Sequence, residues 1–160
     1  MTVADRARIA PRPVSKQRLR LWLRLLRATR GIESELRDRL RKEFDVTLPQ
    51  FDVMAALARK QDGMSMTELS RSLMVSNGNV TGIIDRLAAE KLVLRQAPAN
   101  DRRSFIVRLT PKGAAHFGVM AKAHEIWIDG LLSDIGAGEA DDLIPQLEAL
   151  TARVRGEDQP

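Results

Sequence analysis

Apolar residues recur at helical spacing along the first third of the chain. From Ser15 to about Phe44 there is no proline and a single glycine, Gly31. Thr29 and Glu33 interrupt the apolar stripe midway, so the pattern predicts one long helix, straight or kinked. The apolar positions that follow the helical period are Leu19, Trp22, Leu26, Leu36, Leu40 and Phe44.

Two shorter helices are predicted next from their terminal residues. Pro49 suits the first turn of a helix over residues 50–60, which Asp62-Gly63 ends. The run Ser65-Met66-Thr67-Glu68 matches a capping box, in which the Ser65 hydroxyl and the Glu68 carboxylate each accept a backbone hydrogen bond. It predicts a helix over residues 66–73 and therefore the first half of a helix-turn-helix.

The second half of this pair has the chemistry of a DNA-reading element. Ser76 can cap a helix that extends to about Lys91, and the apolar positions that form its buried face are Val80, Ile83, Ile84 and Leu87. The outer side is left to Asn77, Asn79, Thr81 and Arg86. Small hydrogen-bonding residues thus occupy the amino-terminal turns, where a recognition helix meets base edges. Asparagine amides pair with adenine, and threonine methyls pack on thymine methyls.

Two glycines four residues apart, Gly78 and Gly82, share one face of this predicted helix. Each costs about 1 kcal/mol relative to alanine in a helix interior, so a close approach to something would explain them. That partner is either DNA or another helix packed tightly against this one.

A β wing is predicted directly after the helix pair. Residues 92–96 and 104–109 are typical of strands, and a basic turn over residues 97–103 joins them. At its tip, Asp101 would orient Arg103 so that the guanidinium enters a minor groove, and Arg102 would contact phosphate. Alternating charge that keeps an exposed loop soluble is the other explanation.

The chain is predicted to close with two helices. One begins at Thr110-Pro111 and extends to about Ile135, and Gly136 and Gly138 then break the chain. The last helix, over residues 139–154, carries an apolar stripe at Leu143, Leu147, Leu150 and Val154. Together, this stripe and the first helix carry more apolar surface than a small winged-helix core can cover. Burial of each such side chain contributes roughly 1.5–3 kcal/mol, so an obligate homodimer is expected.

The expected fold is mostly α with a small β wing (α+β): a winged helix-turn-helix domain fused to a helical dimerisation region. Pro11 and Pro13 interrupt a polar, basic amino terminus, which is expected to be a mobile arm. The predicted segments are the arm (1–14), the first long helix (15–47), the winged helix-turn-helix domain (48–112), the carboxy-terminal dimerisation helices (113–155) and a tail (156–160).

Charge is distributed unevenly around the net value of +5. Residues 1–45 hold 13 Lys and Arg against 6 Asp and Glu, residues 46–115 hold 10 against 6, and residues 116–160 hold 3 against 9. A basic front and an acidic tail suit a protein that meets a polyanion with one part only, although unrelated solvated faces would give the same counts. No apolar run approaches the roughly 20 residues of a membrane span, and no secretory signal is recognised. We therefore expect a cytoplasmic protein without a membrane partner.

The sequence offers little for catalysis. It contains no Cys and no Tyr, which excludes disulfides, thiolate metal sites and thiol switches. The two histidines, His116 and His124, lie two turns apart on one predicted helix rather than the single turn of an HExxH pair. They are interpreted as ordinary side chains. No glycine-rich phosphate loop is present either, so the sequence predicts no enzyme, no metal site and no cofactor.

Several of these segments together resemble the DNA-binding region of the MarR (multiple antibiotic resistance regulator) family. They are Met66–Ser70, Ser76–Leu87, Asn100–Arg103 and Leu109–Gly113. With the flanking helices, the resemblance covers about residues 15–155. It implies a homodimer built from the first helix and the last two, with each recognition helix and wing on one half-site of a pseudo-palindromic operator. It further implies a repressor that a ligand releases from DNA. A non-specific architectural DNA binder and a winged helix used only for protein contacts remain alternatives.

The effector is expected to be a small aromatic anion or its coenzyme A thioester. The recognition-helix run Ser76–Gly82 resembles regulators of aromatic-acid degradation, some of which respond to hydroxycinnamoyl-CoA thioesters. A basic stripe on the first helix would bind the phosphates of such a thioester through arginine forks, unless it is a solvated face. The stripe is Lys16, Arg20, Arg24 and Arg27, and the apolar walls would come from Trp22, Met54, Phe117 and Trp127.

Overall fold

The computed structural model describes residues 13–97 and 105–156, which form six helices and three short strands. They confirm the expected, mostly helical fold with a small antiparallel sheet. The elements are α1 (Val14–Phe44), α2 (Leu48–Arg59), β1 (Met64–Ser65), α3 (Met66–Leu73), α4 (Asn77–Ala89), β2 (Val93–Gln96), β3 (Ile106–Leu109), α5 (Pro111–Leu131) and α6 (Ala137–Arg155).

The first two helices follow their predictions with one shift. α1 is continuous for 31 residues and passes through Gly31 as helix. α2 begins at Leu48 rather than residue 50, because Thr47 and Gln50 form a capping box that precedes it. The Gln50 N–H donates to Thr47 Oγ1 at 3.3 Å, and the Thr47 N–H donates to Gln50 Oε1 at 2.9 Å.

The sheet contains one strand more than the sequence pattern indicated. β1 pairs with β3 through Met64↔Val107 and Ser65↔Ile106, which gives the strand order β1-β3-β2. β2 and β3 are antiparallel and begin later than predicted, at Val93 and Ile106. Leu92 lies before the ladder because its carbonyl accepts a hydrogen bond from the Thr110 N–H instead, at 3.0 Å.

The two closing helices differ from prediction at their facing ends. α5 ends at Leu131, four residues early, and a turn follows in which the Ile135 N–H donates to the Leu132 carbonyl. α6 begins at Ala137, so the expected break at Gly138 was wrong. Glu139 Oε2 accepts the Gly136 N–H at 2.9 Å, which caps the helix and leaves Gly138 in its first turn.

The chain divides into two compact units, and the boundary falls after Met120, inside α5. In the first unit, α2 packs on both α3 and α4, and α4 also packs on β2. Phe51 on α2 and Phe117 on α5 bring their rings to 5.5 Å between centroids. The side chains with less than 2% exposure are Leu40, Val53, Met54, Leu69, Val80, Ile84, Leu87, Val107 and Met120.

The second unit, from Ala121, contains the rest of α5 and all of α6. Trp127 is buried there, whereas no residue of α6 is. None of the helices over the described residues is long and apolar enough to cross a membrane.

Candidate nucleic-acid interface

The orientation of α4 follows from its buried face. Val80, Ile84 and Leu87 have no exposed surface, because they point into the core of the first unit. The opposite side of the same helix is therefore directed outward. The residues predicted for the outer side, Asn77, Asn79, Thr81 and Arg86, are exposed, and so is Gly78. Ile83, which was predicted for the buried face, is only half-buried because it borders an open groove.

The amino terminus of α4 is held by its own polar side chains. The Ser76 Oγ accepts the Asn79 N–H at 3.4 Å, which confirms Ser76 as the cap. The Thr81 hydroxyl donates to the Asn77 carbonyl at 2.9 Å. The hydroxyl proton of Thr81 is therefore used within the helix, while the side chain as a whole is exposed. The side-chain amides of Asn77 and Asn79 extend from the first turn.

The glycines of α4 do not pack against another helix of the protomer. A Cβ placed on Gly78 or Gly82 would have no heavy atom within 4 Å apart from the helix's own backbone. Both border an open groove of about 560 Å³ that Gln50 and Arg86 also line. Of the two explanations for these glycines, tight packing within the protomer finds no support among the described residues.

The preceding helix, α3, is fixed at its start by a polar lock. The Glu68 N–H donates to Ser65 Oγ at 3.2 Å, and the Ser65 N–H donates to Glu68 Oε2 at 2.8 Å, so the capping box is confirmed. Lys60, just after α2, adds an ion pair to Glu68 Oε1 at 2.5 Å. The hydrogen bond from Lys60, followed by those from Ser65, lowers the pKa of Glu68 to about 2. The lock ties α3 to the end of α2.

The turn between α3 and α4 is tight and exposed. Met74 adopts a left-handed conformation, with φ of 53°, and is 75% exposed. The Val75 N–H donates to the Ser70 carbonyl at 3.1 Å, and the Ser70 hydroxyl donates to the Val75 carbonyl. These bonds close the helix-turn-helix without using the outward face of α4.

The wing strands are attached to the recognition helix by charge as well as by packing. Asp85 on α4 forms an ion pair with Arg95 on β2. The predicted tip residues Asn100, Asp101, Arg102 and Arg103 lie outside the described residues. Their roles therefore stay predictions.

The predicted basic stripe is one surface of α1. Arg20, Arg24 and Arg27 line a shallow pocket of about 170 Å³ together with Leu23, and Lys16 is exposed one turn earlier. None of the ion pairs in residues 13–97 and 105–156 engages these four cations. The stripe is thus available for an anion.

The apolar residues expected around an effector have different surroundings. Trp22 is 56% exposed on α1, whereas Met54 has no exposed surface because α2 packs it into the core. Phe117 is partly buried against Phe51, and Trp127 is buried in the second unit. Met54 therefore offers no wall to a ligand in this structure.

One cavity of the first unit was not foreseen from the sequence. It measures about 360 Å³ and lies between the end of α2 and the start of α5, lined by Leu57, Gln61, Leu109, Pro111 and Phe117 among others. Of the lining residues, only Phe117 was predicted to contact an effector. The cavity forms where residues distant in sequence meet, so no local motif indicates it.

Comparisons with known proteins agree with this geometry. The MarR family profile matches residues 46–105. The multiple antibiotic resistance protein MarR of Escherichia coli (strain K12) is 30% identical over 125 residues, which are 76% of this chain and 84% of that protein.

Solved structures share the fold. The transcriptional regulator BldR from Sulfolobus solfataricus is 26% identical with a TM-score of 0.78, over 86% of this chain and 96% of that one. A mutant of E. coli MarR complexed with operator DNA is 24% identical with a TM-score of 0.73, over 86% and 98% of the two chains. Family members are transcriptional regulators and not enzymes. The chain belongs to the MarR family of winged-helix, DNA-binding transcriptional regulators.

Proposed function

We propose that this regulator represses transcription as a homodimer on a pseudo-palindromic operator and that a small aromatic anion or its CoA thioester releases it. The proposed operator binding rests on one observation, the exposure of the outward face of α4. The side-chain amides of Asn77 and Asn79 at its amino terminus are exposed, and neither forms a hydrogen bond within the described residues. Side chains so placed at a recognition-helix amino terminus read base edges.

The proposed dimer is supported by apolar surface that one copy of the chain leaves uncovered. Leu143, Leu147 and Leu150 on α6 are 44–46% exposed, and the amino-terminal half of α1 is exposed as well. Two copies that cover these surfaces would present two recognition helices. For both recognition helices to dock in successive major grooves, the distance between them must be about 34 Å, one turn of DNA. The E. coli relative bound to operator DNA has the same fold, which supports this arrangement.

The test measures binding to the protein's own upstream DNA and to random duplexes of equal length. Asn77→Ala, Asn79→Ala or Thr81→Ala should cost roughly 1–3 kcal/mol on the operator and much less on random DNA. Ser34→Ala, at an exposed position in the carboxy-terminal half of α1, serves as the control and should bind both like wild type. Equal losses on both DNAs would show that these side chains touch only the backbone.

The wing is tested in the same assay. Arg103→Ala should weaken operator binding with a modest change in salt slope, and Asp101→Ala should act in the same direction because it frees Arg103. Arg102→Ala should weaken binding to all sequences alike and reduce the salt slope. Binding without sequence preference or ligand response would favour an architectural DNA binder. The absence of salt-sensitive DNA affinity would favour a protein-contact module.

The basic stripe on α1 is the proposed phosphate site for the thioester form of the effector. Three arginines on one helix face, at positions i, i+4 and i+7, form no ion pair with the described residues, and they place guanidinium forks along a line that a polyphosphate can follow. A ligand releases DNA only if it binds the non-DNA-binding arrangement more tightly. If the stripe binds the phosphates of the thioester, 4-hydroxycinnamoyl-CoA should release the operator where free 4-hydroxycinnamate does not.

Paired substitutions test the stripe. Arg20→Ala with Arg24→Ala should abolish the thioester response and leave operator affinity nearly intact. Arg18→Ala removes a charge from the opposite face of α1 and should respond like wild type. If the double variant loses DNA binding and still responds, the stripe contacts DNA. If affinity and response are both unchanged, the stripe is a solvated face.

A further inference from the structure

A compact set of hydrogen bonds connects the end of α4 to the start of α5. The Thr110 N–H donates to the Leu92 carbonyl at 3.0 Å, and the Thr110 hydroxyl donates to the Lys91 carbonyl at 2.7 Å. The same hydroxyl oxygen accepts the Gly113 N–H at 2.9 Å, which caps α5. One side chain therefore bonds both to the segment that leaves the recognition helix and to the helix that follows the wing.

Two further contacts tighten this connection, which we call the joint (residues 90–92 and 110–113). The Lys112 ammonium donates to the Glu90 carbonyl at 2.9 Å. Gly113 lies so close to the turn that a Cβ there would come within 1.9 Å of the Leu92 carbonyl oxygen. Any side chain would force the two segments apart, so the glycine permits the close approach.

The turn after α4 is itself well determined. Lys91 adopts a left-handed conformation with φ of 61°, and the Leu92 N–H donates to the Leu87 carbonyl at 2.9 Å. This is the hydrogen-bonding pattern of a helix end closed by a left-handed residue. The joint thus holds the turn that follows α4 against the first turn of α5.

We propose that the joint sets the spacing between half-sites that the dimer accepts, with Thr110 and Lys112 as positioning residues that do not touch DNA. This inference rests on the proposed binding of a dimer to two half-sites. α4 carries the base-reading side chains, and α5 starts at the joint and continues to Leu131. A stiff joint transmits the geometry of the dimer to each recognition helix, so the two helices dock at one separation.

DNA geometry makes this property measurable. Each added base pair moves one half-site by about 3.4 Å along the axis and rotates it by about 35°. Two added base pairs therefore take the second half-site away from a rigidly held recognition helix. A looser joint would allow that helix to follow, so its affinity would depend less on spacing.

An operator is first selected from random duplexes with the wild-type dimer. The experiment then measures the dissociation constant for this operator and for the same operator with two base pairs inserted between its half-sites, and it takes the ratio of the second value to the first. For wild type, the insertion should weaken binding about tenfold or more, since the base contacts of one half-site are lost. For Thr110→Val with Lys112→Met, the ratio should fall to about threefold or less. A ratio cancels any uniform change in affinity, including the loss of one positive charge.

Two controls separate positioning from a general loss of stability. Thr47→Val makes the same side-chain change at the cap of α2, where Thr47 Oγ1 accepts the Gln50 N–H, and it should keep the wild-type ratio. Thr110→Ser keeps the hydroxyl and should also keep it. If the double variant does not fold, Thr110→Val alone is measured, with an expected ratio below that of wild type.

The outcomes distinguish this inference from the proposed function. A wild-type ratio well above one that persists in the Thr110 variants overturns the role of the joint and leaves the operator-binding dimer standing. A wild-type protein without sequence preference, or indifferent to half-site spacing, overturns the proposed function and the joint with it. A lowered ratio in Thr47→Val as well would show that loss of any cap has this effect, which overturns the specific role of the joint.

Discussion

The two compact units of the chain differ in how much apolar surface each covers alone. The first, up to Met120, buries side chains from α1 to α5 around Ile84 and Leu87 of the recognition helix. Among residues 121–156 only Trp127 is buried, while no residue of α6 is, and Leu147 and Val154 are 46% and 79% exposed. The first unit contains most of the buried apolar side chains, whereas α6 in the second unit leaves its apolar stripe exposed in a single copy of the chain.

A single helix shows the same contrast. In α1, Leu36 and Leu40 near the carboxy end are buried, whereas Leu19 and Trp22 near the amino end are 57% and 56% exposed. An apolar stripe alone does not tell which of the two environments its residues occupy. The sequence period identifies the stripe, and only tertiary packing decides whether the protomer or a partner covers it.

The largest effect on assembly is expected when charges are introduced into the exposed apolar stripe of α6. Leu147→Glu with Leu150→Glu should leave a monomer at micromolar concentration, because each copy would bury two unpaired carboxylates at the interface. Operator affinity should then fall by about a hundredfold or more, since the two half-sites are no longer bound together. Light scattering and operator titration measure the two effects.

The matched control places the same charge on another side of α6. Ala149→Glu should remain dimeric and keep its operator affinity, because Ala149 lies outside the stripe of Leu143, Leu147 and Leu150. A stable dimer in the doubly charged variant would show that α6 is not part of the interface.

A smaller effect is expected in the first unit's core. Ile84→Ala should lower the free energy of unfolding by about 2–5 kcal/mol, because Ile84 is fully buried and its removal leaves a cavity. The dimer dissociation constant should change little, whereas Leu150→Ala should raise it. Urea unfolding and sedimentation measure the two quantities. Equal effects of both substitutions on dimer dissociation would contradict the division of roles between the units.

Local signals predicted the helix-turn-helix region, α3 and α4, well. Ser65 and Ser76 act as caps, and three of the four residues predicted for the buried face of α4 are buried, because these features depend on residues within one or two turns. The exception is Ile83, which is half-buried. The capping box of Thr47 and Gln50 is equally local, and the same rule would have located the start of α2.

The features that sequence reasoning missed depend on distant residues. β1 has two residues and shows no alternation, so its pairing with Ile106 and Val107 could not be inferred from its own pattern. Met54 was expected near an effector, but the packing of α2 buries it. Gly138 was expected to lie in the break between the last two helices. It lies instead in the first turn of α6, which tolerates a glycine because Glu139 supplies the cap.

The smallest effect concerns the polar lock inside the first unit. Glu68 has its pKa lowered from 4.5 to about 2 by hydrogen bonds from Lys60 and Ser65. A carboxylate whose pKa is lowered in the folded state stabilises it fully above the unfolded pKa, and this contribution is lost as pH falls toward the folded value. Wild type should therefore exceed Glu68→Gln in stability at pH 7, and the difference should shrink between pH 4.5 and 2. Because the Glu68 side chain is 42% exposed, solvent screening keeps the difference small.

Urea unfolding of wild type and Glu68→Gln at pH 7 and pH 3 measures this difference in the free energy of unfolding. Because both proteins share all other carboxylates, the titration of those groups cancels when the two values are subtracted. Glu43→Gln, at an exposed position on α1 outside the contacts between α2 and α3, is the control and should show a smaller difference at pH 7. The lock belongs to the unit that carries its own core, so its loss should leave dimer dissociation unchanged at pH 7. A gap between wild type and Glu68→Gln that stays constant from pH 7 to pH 3 would mean that the charge of Glu68 does not stabilise the start of α3.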